Sequence, residues 1–442
     1  MSSSKGSGSR ASARRSIIPG RAFELIRRHE TLGWVCLLIF INQLGFGSIV
    51  PVVPLYADEF GVSAAAIGAT IAVYGAARFA MNVPTGYIAD RFGRNIALAM
   101  GGAITVAGNL ACGLTDVYWQ FLIGRFVSGA GAAMVITGTQ IVVADISTRE
   151  NRGRMMAVYQ GTFLFAVGFG PVPGGLLADA FSLAAPFFAY AIFGGLVSLL
   201  AWFRIPDTGV IGREAAASTG QQRLPMHQQL LAFRRELGFV LIAIVSFAAF
   251  FARTGGLFNL IPTQAENELG LSASQIGLGL GAISLVGLAL AYPSGVLVDR
   301  FGRKTVIVPS TIFSGLAMFL FATMPNFTWF LLACTTWAIS IGISGPAPAA
   351  YAADMAPVGM NASAMGLYRM LADTGYIFGP LVLGFVADIA SPEAALIGTG
   401  VMVLASGLLF ALLAPESRPA TTAAVQGASP APAEHRGSST PS

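Results

Sequence analysis

Twelve apolar runs, each about 20 residues or longer, decide what this chain can fold into; they lie at approximately 33–56, 66–89, 96–115, 118–144, 155–178, 184–204, 238–262, 274–297, 305–324, 328–352, 362–387 and 394–414. A bilayer core about 30 Å thick takes about 20 residues at 1.5 Å rise, and every backbone polar group inside it must be satisfied within the segment. Each run is therefore expected to be a membrane-crossing helix, span 1 to span 12 in chain order. With 55% of its residues hydrophobic and 11% charged, the chain falls outside the soluble class. The expected fold is all-α.

The charged residues give the spans a direction. Of the 26 Lys and Arg residues, all except Arg78, Arg125, Arg253 and Arg369 fall in the tails or in loops on one side, among them Arg149, Arg152 and Arg154 after span 4 and Arg234 and Arg235 before span 7. The opposite loops hold only acids: Asp58, Glu59, Asp116, Asp179, Glu266, Glu268, Asp388 and Glu393. Basic residues beside a span resist translocation, so both termini are expected in the cytoplasm, as in a multi-pass protein of the cell membrane. The net charge of +5 is thus topological and implies no nucleic-acid partner. Cys36, Cys112 and Cys334 fall inside spans, which leaves neither a disulfide framework nor a metal cluster. The Ser- and Arg-rich residues 1–32 admit a transit peptide or a disordered cytoplasmic tail, and the tail is the expected state; residues 415–442 make a second one.

The chain also repeats itself. A shift of 209 residues brings "GYIADRFGRN" at Gly86 onto "GVLVDRFGRK" at Gly295, Pro84 onto Pro293, Asp145 onto Asp354, Met156 onto Met365, Tyr159 onto Tyr368, Gly170-Pro171 onto Gly379-Pro380 and Asp179 onto Asp388. The register holds from span 2 through span 5 without an insertion, which marks a duplication. Two pseudo-symmetric six-helix bundles are expected, at 33–204 and 238–414, parallel about an axis along the membrane normal, with substrate bound where they meet. The polar segment 205–237 joins them. It carries His227, which reads as a pH sensor or as plain solvent exposure.

Each copy of the repeated stretch puts Pro-x-Gly before Asp-Arg-Phe-Gly-Arg, which is turn and helix-ending chemistry at the cytoplasmic face. Arg91, Arg94, Arg300, Arg303 and Lys304 suit headgroups and helix C-termini, while Asp90 and Asp299 can pair with them or face a helix N-terminus. The G-x-x-x-D-R-x-G-R pattern of Gly86, Asp90, Arg91, Gly93 and Arg94 resembles that of the major facilitator superfamily, and the second copy strengthens the likeness. The resemblance implies that Asp90 and its arginines form a cytoplasmic latch against span 11.

Two further stretches narrow the likeness. Arg125 with Gly129 and Gly131 resembles the family's R-x-x-x-G-x-G motif, whose arginine is linked to proton transfer. Gly168 to Gly175, with Gly170, Pro171, Gly174 and Gly175 at its centre, is similar to the antiporter motif of drug:proton exporters. Small-residue packing alone explains the glycines, but less well the paired prolines.

Arg78, Arg125, Arg253, Arg369 and Asp373 lie inside spans, and none is duplicated: the 209 shift pairs them with Gly287, Cys334, Leu44, Gln160 and Leu164. A charge at mid-bilayer costs roughly 2.5 to 3.5 kcal/mol on insertion scales, so such groups read as functional. Asp373 is the only deep acid. Arg78 lies at similar depth on span 2, and in the superfamily fold spans 2 and 11 meet, so these two are expected to pair and to switch with protonation. Arg369, four residues before Asp373, makes a structural i,i+4 pair the competing reading. Asn42, Gln43, Gln140, Gln160, Arg253, Trp337, Tyr368, Arg369 and Tyr376 are the candidate cavity residues. Span 1 has Asn42 and Gln43 where exporters of cationic drugs carry an acid, so a neutral, zwitterionic or anionic amphiphile is favoured.

The expected activity is export of amphipathic organic compounds in exchange for protons by alternating access, with proton-coupled uptake and a non-transporting sensor as alternatives. The chain contains no G-x-x-x-x-G-K-[ST], so ATP is not the energy source. No enzymatic activity, cofactor or metal is expected. The partners are a small organic substrate, protons and the lipid bilayer, and the expected state is a monomer.

Overall fold

The computed structural model describes residues 19–147, 151–208, 236–345, 347–356 and 361–416. They fall into two compact units, Met1–Val50 with Ala76–Gln222 and Pro51–Gly75 with Arg223–Ser442. The linker residues 209–235, with His227, Arg234 and Arg235, lie outside the described residues, as do Arg149 and most of both tails.

All regular structure among the described residues is helical. Among the described residues eleven helices are long and apolar enough to cross a membrane, from Glu30–Asp58 to Pro392–Leu413, and each overlaps one expected span, although Ala64–Asn82 ends short of 89 and Leu237–Leu269 runs past 262. Span 8 is the 29-residue helix Ala273–Phe301, whose described apolar run covers Ala273–Gly287. Several ends carry their own capping chemistry. Ser272 and Gln275 form a capping box, and Ser391 accepts the N–H of Ala394 with Pro392 at the first helical turn.

The spans are interrupted where the sequence removes a backbone donor. Span 1 breaks between Ile49 and Val52, at Pro51, and span 5 divides into Arg152–Phe169 and Pro171–Ala180. Span 10 ends its first segment, Phe327–Ser344, at Gly345, where φ is 44°. Span 7 instead widens into a π-helical stretch, Ala252–Leu260, a geometry that recurs at functional sites.

Within each unit the repeat is expressed as packing. In the first, helix Arg94–Leu114 packs on Tyr118–Ile146 and Ala185–Arg204, and Pro19–Ile49 packs on Arg152–Phe169 and Ala185–Arg204. In the second, Lys304–Ala322 packs on Phe327–Ser344 and Pro392–Leu413, and Leu237–Phe251 packs on Asn361–Ile389 and Pro392–Leu413. These are the same span pairs at the same offset. Each unit has its own apolar core, around Val35, Ile39, Val135, Val142 and Val197 in one and Phe239, Ile242, Val306, Tyr351 and Phe410 in the other. The second unit also holds residues 51–75, which the repeat assigns to the first bundle, and there Asp388 accepts the N–H groups of Ala64 and Ala65 at 2.7 and 2.9 Å.

Candidate functional site

The repeated turn is built around a glycine that only glycine suits. Gly93 and Gly302 have φ of 101° and 92°, a region in which a Cβ is strained. Each is followed by an arginine that reaches the acid ending the fourth span of its repeat. Arg94 Nε lies 3.0 Å from Asp145 Oδ2 while Nη1 lies 2.5 Å from Asp90 Oδ1. Arg303 Nε lies 3.0 Å from Asp354 Oδ2.

The helix that starts at the turn is capped from far along the chain. Arg94 N–H donates to Asp207 Oδ1 at 3.1 Å, and Lys304 N–H donates to Glu416 Oε1 at 3.2 Å. A carboxylate at a helix N-terminus satisfies an orphan N–H and meets the positive end of the helix dipole. Thr208 completes the first copy by donating to Asp145 Oδ2 at 2.8 Å. Asp207 and Glu416 stand at the same offset as the motif itself, a repeat signal that could have drawn attention to them. Outside this network, Arg91 and Arg300 are exposed, each over the ring that follows it, at 5.4 Å from Phe92 and 5.6 Å from Phe301. Gly86 has open space on its Cβ side, and the Asp299 side chain lies outside the described residues.

The Gly-Pro run of span 5 forms a backbone-to-backbone seam with span 1. A Cβ on Gly170 would lie 2.5 Å from Gly47 Cα, and one on Gly47 would lie 2.5 Å from the Val167 carbonyl oxygen. One turn further, a Cβ on Gly174 would overlap the Ser48 carbonyl. Pro171 has no N–H to offer Val167, so the carbonyl it leaves over faces the closely approaching Gly47. Pro171 and Gly175 are buried beside it. The second unit has the equivalent seam, with a Cβ on Gly255 placed 2.6 Å from Gly379.

Arg253, Trp337 and Tyr368, three of the candidate cavity residues, come together around a cavity of about 210 Å3 wholly within the second unit. Arg253 leaves the π-helical turn of span 7 and lies 5.2 Å from the Phe258 ring. Tyr368 accepts a hydrogen bond from Ser246 at 2.8 Å, and Ser340 donates to the Ser310 carbonyl at 2.8 Å beside a Ser314–Ser340 hydroxyl pair. Trp337 is 2% exposed, and its indole N–H has no acceptor among the described residues. The serines escaped the sequence reading because single hydroxyls are common in spans, where they bond the preceding turn.

The register of the repeat explains why the cavity lies in one unit. At the 209 shift, Ser310, Thr311, Trp337, Ser340 and Val403, which all line it, replace Gly101, Gly102, Ser128, Gly131 and Gly194. In the first unit those glycines close the gap: a Cβ on Gly131 would lie 2.5 Å from Thr105 N, and one on Gly102 would lie 2.6 Å from Ser198 N. Larger side chains at the same positions replace those glycine contacts, and spans 9 and 12 meet closely instead at Gly315 and Gly400, where a Cβ on Gly400 would lie 3.1 Å from the Gly315 carbonyl oxygen. The space they leave is lined by hydroxyls.

The remaining candidates sit elsewhere. Asn42 and Gln43 are buried and bonded to each other at 2.9 Å, Gln140 is half-buried and Gln160 exposed. Arg125 is 2% exposed, on the helix whose Gly131 packs on Thr105, and Arg78 is half-buried. In the second unit Asp373 is half-buried, Arg369 is exposed, and Tyr376 is buried with its ring against Gly75.

Comparison with known proteins agrees with this architecture. The chain is 27% identical over 403 residues to Multidrug resistance protein 1 of Bacillus subtilis, covering 90% of this chain and 100% of that protein. It is 28% identical over 364 residues to the class C tetracycline resistance protein of Escherichia coli, covering 78% and 86%. Among solved structures, a D-xylose-proton symporter superposes with a TM-score of 0.67 at 17% identity, over 87% of this chain and 98% of that one. A nucleoside transporter superposes with a TM-score of 0.72 at 13% identity, over 86% and 98%. The sequence profile of the Major Facilitator Superfamily matches residues 35–266 and 242–437, and with the duplicated turn and paired bundles it establishes that the chain is a membrane transporter of that superfamily, not an enzyme.

Proposed function

We propose that the protein exports amphipathic organic compounds in exchange for protons, as a monomer in the cell membrane with both termini in the cytoplasm. The observation that carries export is the span 5 seam: Gly170, Pro171 and Gly174 lie backbone-to-backbone on span 1, so the helix break needed for bending is also leak-tight. The relatives named for multidrug and tetracycline resistance support the same direction. Asp373 is the proton carrier in this reading because it is the one acid among the charges inside the spans, with Arg78 and Arg125 setting its environment. The Asp90–Arg94–Asp145 network gates the cytoplasmic face, and the substrate contacts Arg253, Trp337 and Tyr368.

Inverted membrane vesicles test the proposal. With an imposed proton gradient, a fluorescent amphiphile should accumulate in wild-type vesicles and not in Asp373→Asn vesicles. Accumulation without a gradient, or full activity in Asp373→Asn, would remove the coupling assignment. Gradient-driven accumulation only in right-side-out vesicles would reverse the direction to uptake.

A further inference from the structure

The cavity of the second unit has a charge character that narrows what it can hold. Arg253 is its single ionisable cation, and no Asp or Glu lines it. No carboxylate pairs with Arg253 among the described residues; its neighbours include the Phe258 face at 5.2 Å and the Tyr376 hydroxyl. A guanidinium inside a span needs an acceptor, and the planar fork of arginine matches a carboxylate or sulfonate in two parallel hydrogen bonds. The other polar groups of the wall are hydroxyls and the partnerless N–H of Trp337, which is a donor only. Phe250, Val245 and the Trp337 ring supply apolar wall.

Size sets the other bound. An apolar cavity of about 150 Å3 takes one benzene ring. The roughly 210 Å3 available here therefore accommodates an aromatic ring system carrying one small polar group. The replacement of first-repeat glycines by Ser310, Thr311, Ser340 and Val403, and of Ser128 by Trp337, ties the space to side chains specific to this unit.

We infer that this cavity is a binding site for small aromatic monoanions, carboxylates or sulfonates, held by Arg253 and the Trp337 N–H with the ring against the apolar wall. The inference rests on the reading of the chain as a transporter of amphipathic organic compounds and names the charge class of one such ligand. It excludes cationic amphiphiles from this site, since a like charge beside Arg253 is repelled and no carboxylate in the lining offsets it.

Calorimetric titration of the full-length protein in detergent, with indole-3-acetate, its amide and tryptamine, is the test. An ionic hydrogen bond to arginine is worth about ten- to a hundredfold in affinity, so the anion should bind wild type that much more tightly than the amide, and tryptamine should bind most weakly. Arg253→Gln should bring the anion and the amide to within about threefold of each other. Trp337→Phe should weaken the anion severalfold with little effect on tryptamine, which serves if Arg253→Gln does not fold. Equal binding of all three probes, tighter binding of tryptamine, or an anion preference that survives Arg253→Gln would overturn the inference. Because binding needs no gradient, failure of proton-driven export would leave these results standing. Conversely, equal binding of the three probes by a protein that still shows proton-driven export would reject this site alone.

Discussion

Arg94 and Asp145 face each other at 3.0 Å, and 209 residues later Arg303 and Asp354 stand at the same separation, but the two pairs differ in quality. Arg94 hydrogen-bonds both Asp145 and Asp90, with side-chain exposures of 6% for Arg94 and 9% for Asp145. Arg303 Nε is out of line for a hydrogen bond to Asp354, whose side chain is 33% exposed. Removing one partner of a buried pair strands the other charge, whereas an exposed pair is weakened by solvent. Asp145→Asn should therefore destabilise by about 2 to 3 kcal/mol, less than a wholly buried pair because Asp90 remains, and Asp354→Asn by about 1 kcal/mol or less. Thermal unfolding in detergent gives the order, and equal losses would contradict it.

The seam between spans 1 and 5 makes a sharper claim, because the colliding atoms are backbone and cannot swing aside. Gly170→Ala and Gly174→Ala should each cost several kcal/mol and abolish transport, since the methyl meets Gly47 or the Ser48 carbonyl. Gly161→Ala lies on the same span with nothing within 4 Å of the added Cβ, so it should be neutral or raise stability by up to about 1 kcal/mol. Expression level and melting temperature of the three variants separate these outcomes.

Asp388 tests whether a cap between distant segments matters as much as a local one. Its two oxygens accept the N–H groups of Ala64 and Ala65, from a position 324 residues away in the chain. Asp388→Ala should lower stability by about 1 kcal/mol, as N-cap removal does elsewhere. Hydrogen exchange should quicken at the first turn of helix Ala64–Phe92 and leave Lys304–Ala322 unchanged.

Tyr159 and Tyr368 occupy equivalent places in the repeat and should respond in opposite ways. Tyr159 is 0% exposed and its hydroxyl bonds Thr139 at 2.9 Å, so Tyr159→Phe should cost about 1 to 2 kcal/mol of stability and leave transport rates intact. Tyr368 lines the cavity, and its hydroxyl accepts a hydrogen bond from Ser246. Tyr368→Phe should change stability little and shift the apparent KM for substrate. Paired melting and transport measurements on both variants decide between these roles.

The sequence by itself carried the positions of the apolar spans and the duplication, and its basic residues give the spans an expected direction. These are local properties: a segment in hydrocarbon must satisfy its own backbone, so span length and composition are written in consecutive residues. The turn glycines, Gly93 and Gly302, were equally legible because a positive φ is a property of one residue. Only the tertiary structure decided what each motif residue touches. Asp207 and Glu416 lie more than 100 residues from the helix ends they cap, and their shared repeat offset does not say which backbone N–H they accept. The cavity is the clearest case, since Ser310, Ser340 and Val403 are unremarkable alone. Their effect arises because they stand opposite one another where Gly101, Gly131 and Gly194 close the first unit, and interhelical distance depends on the pair of facing residues rather than on either sequence segment.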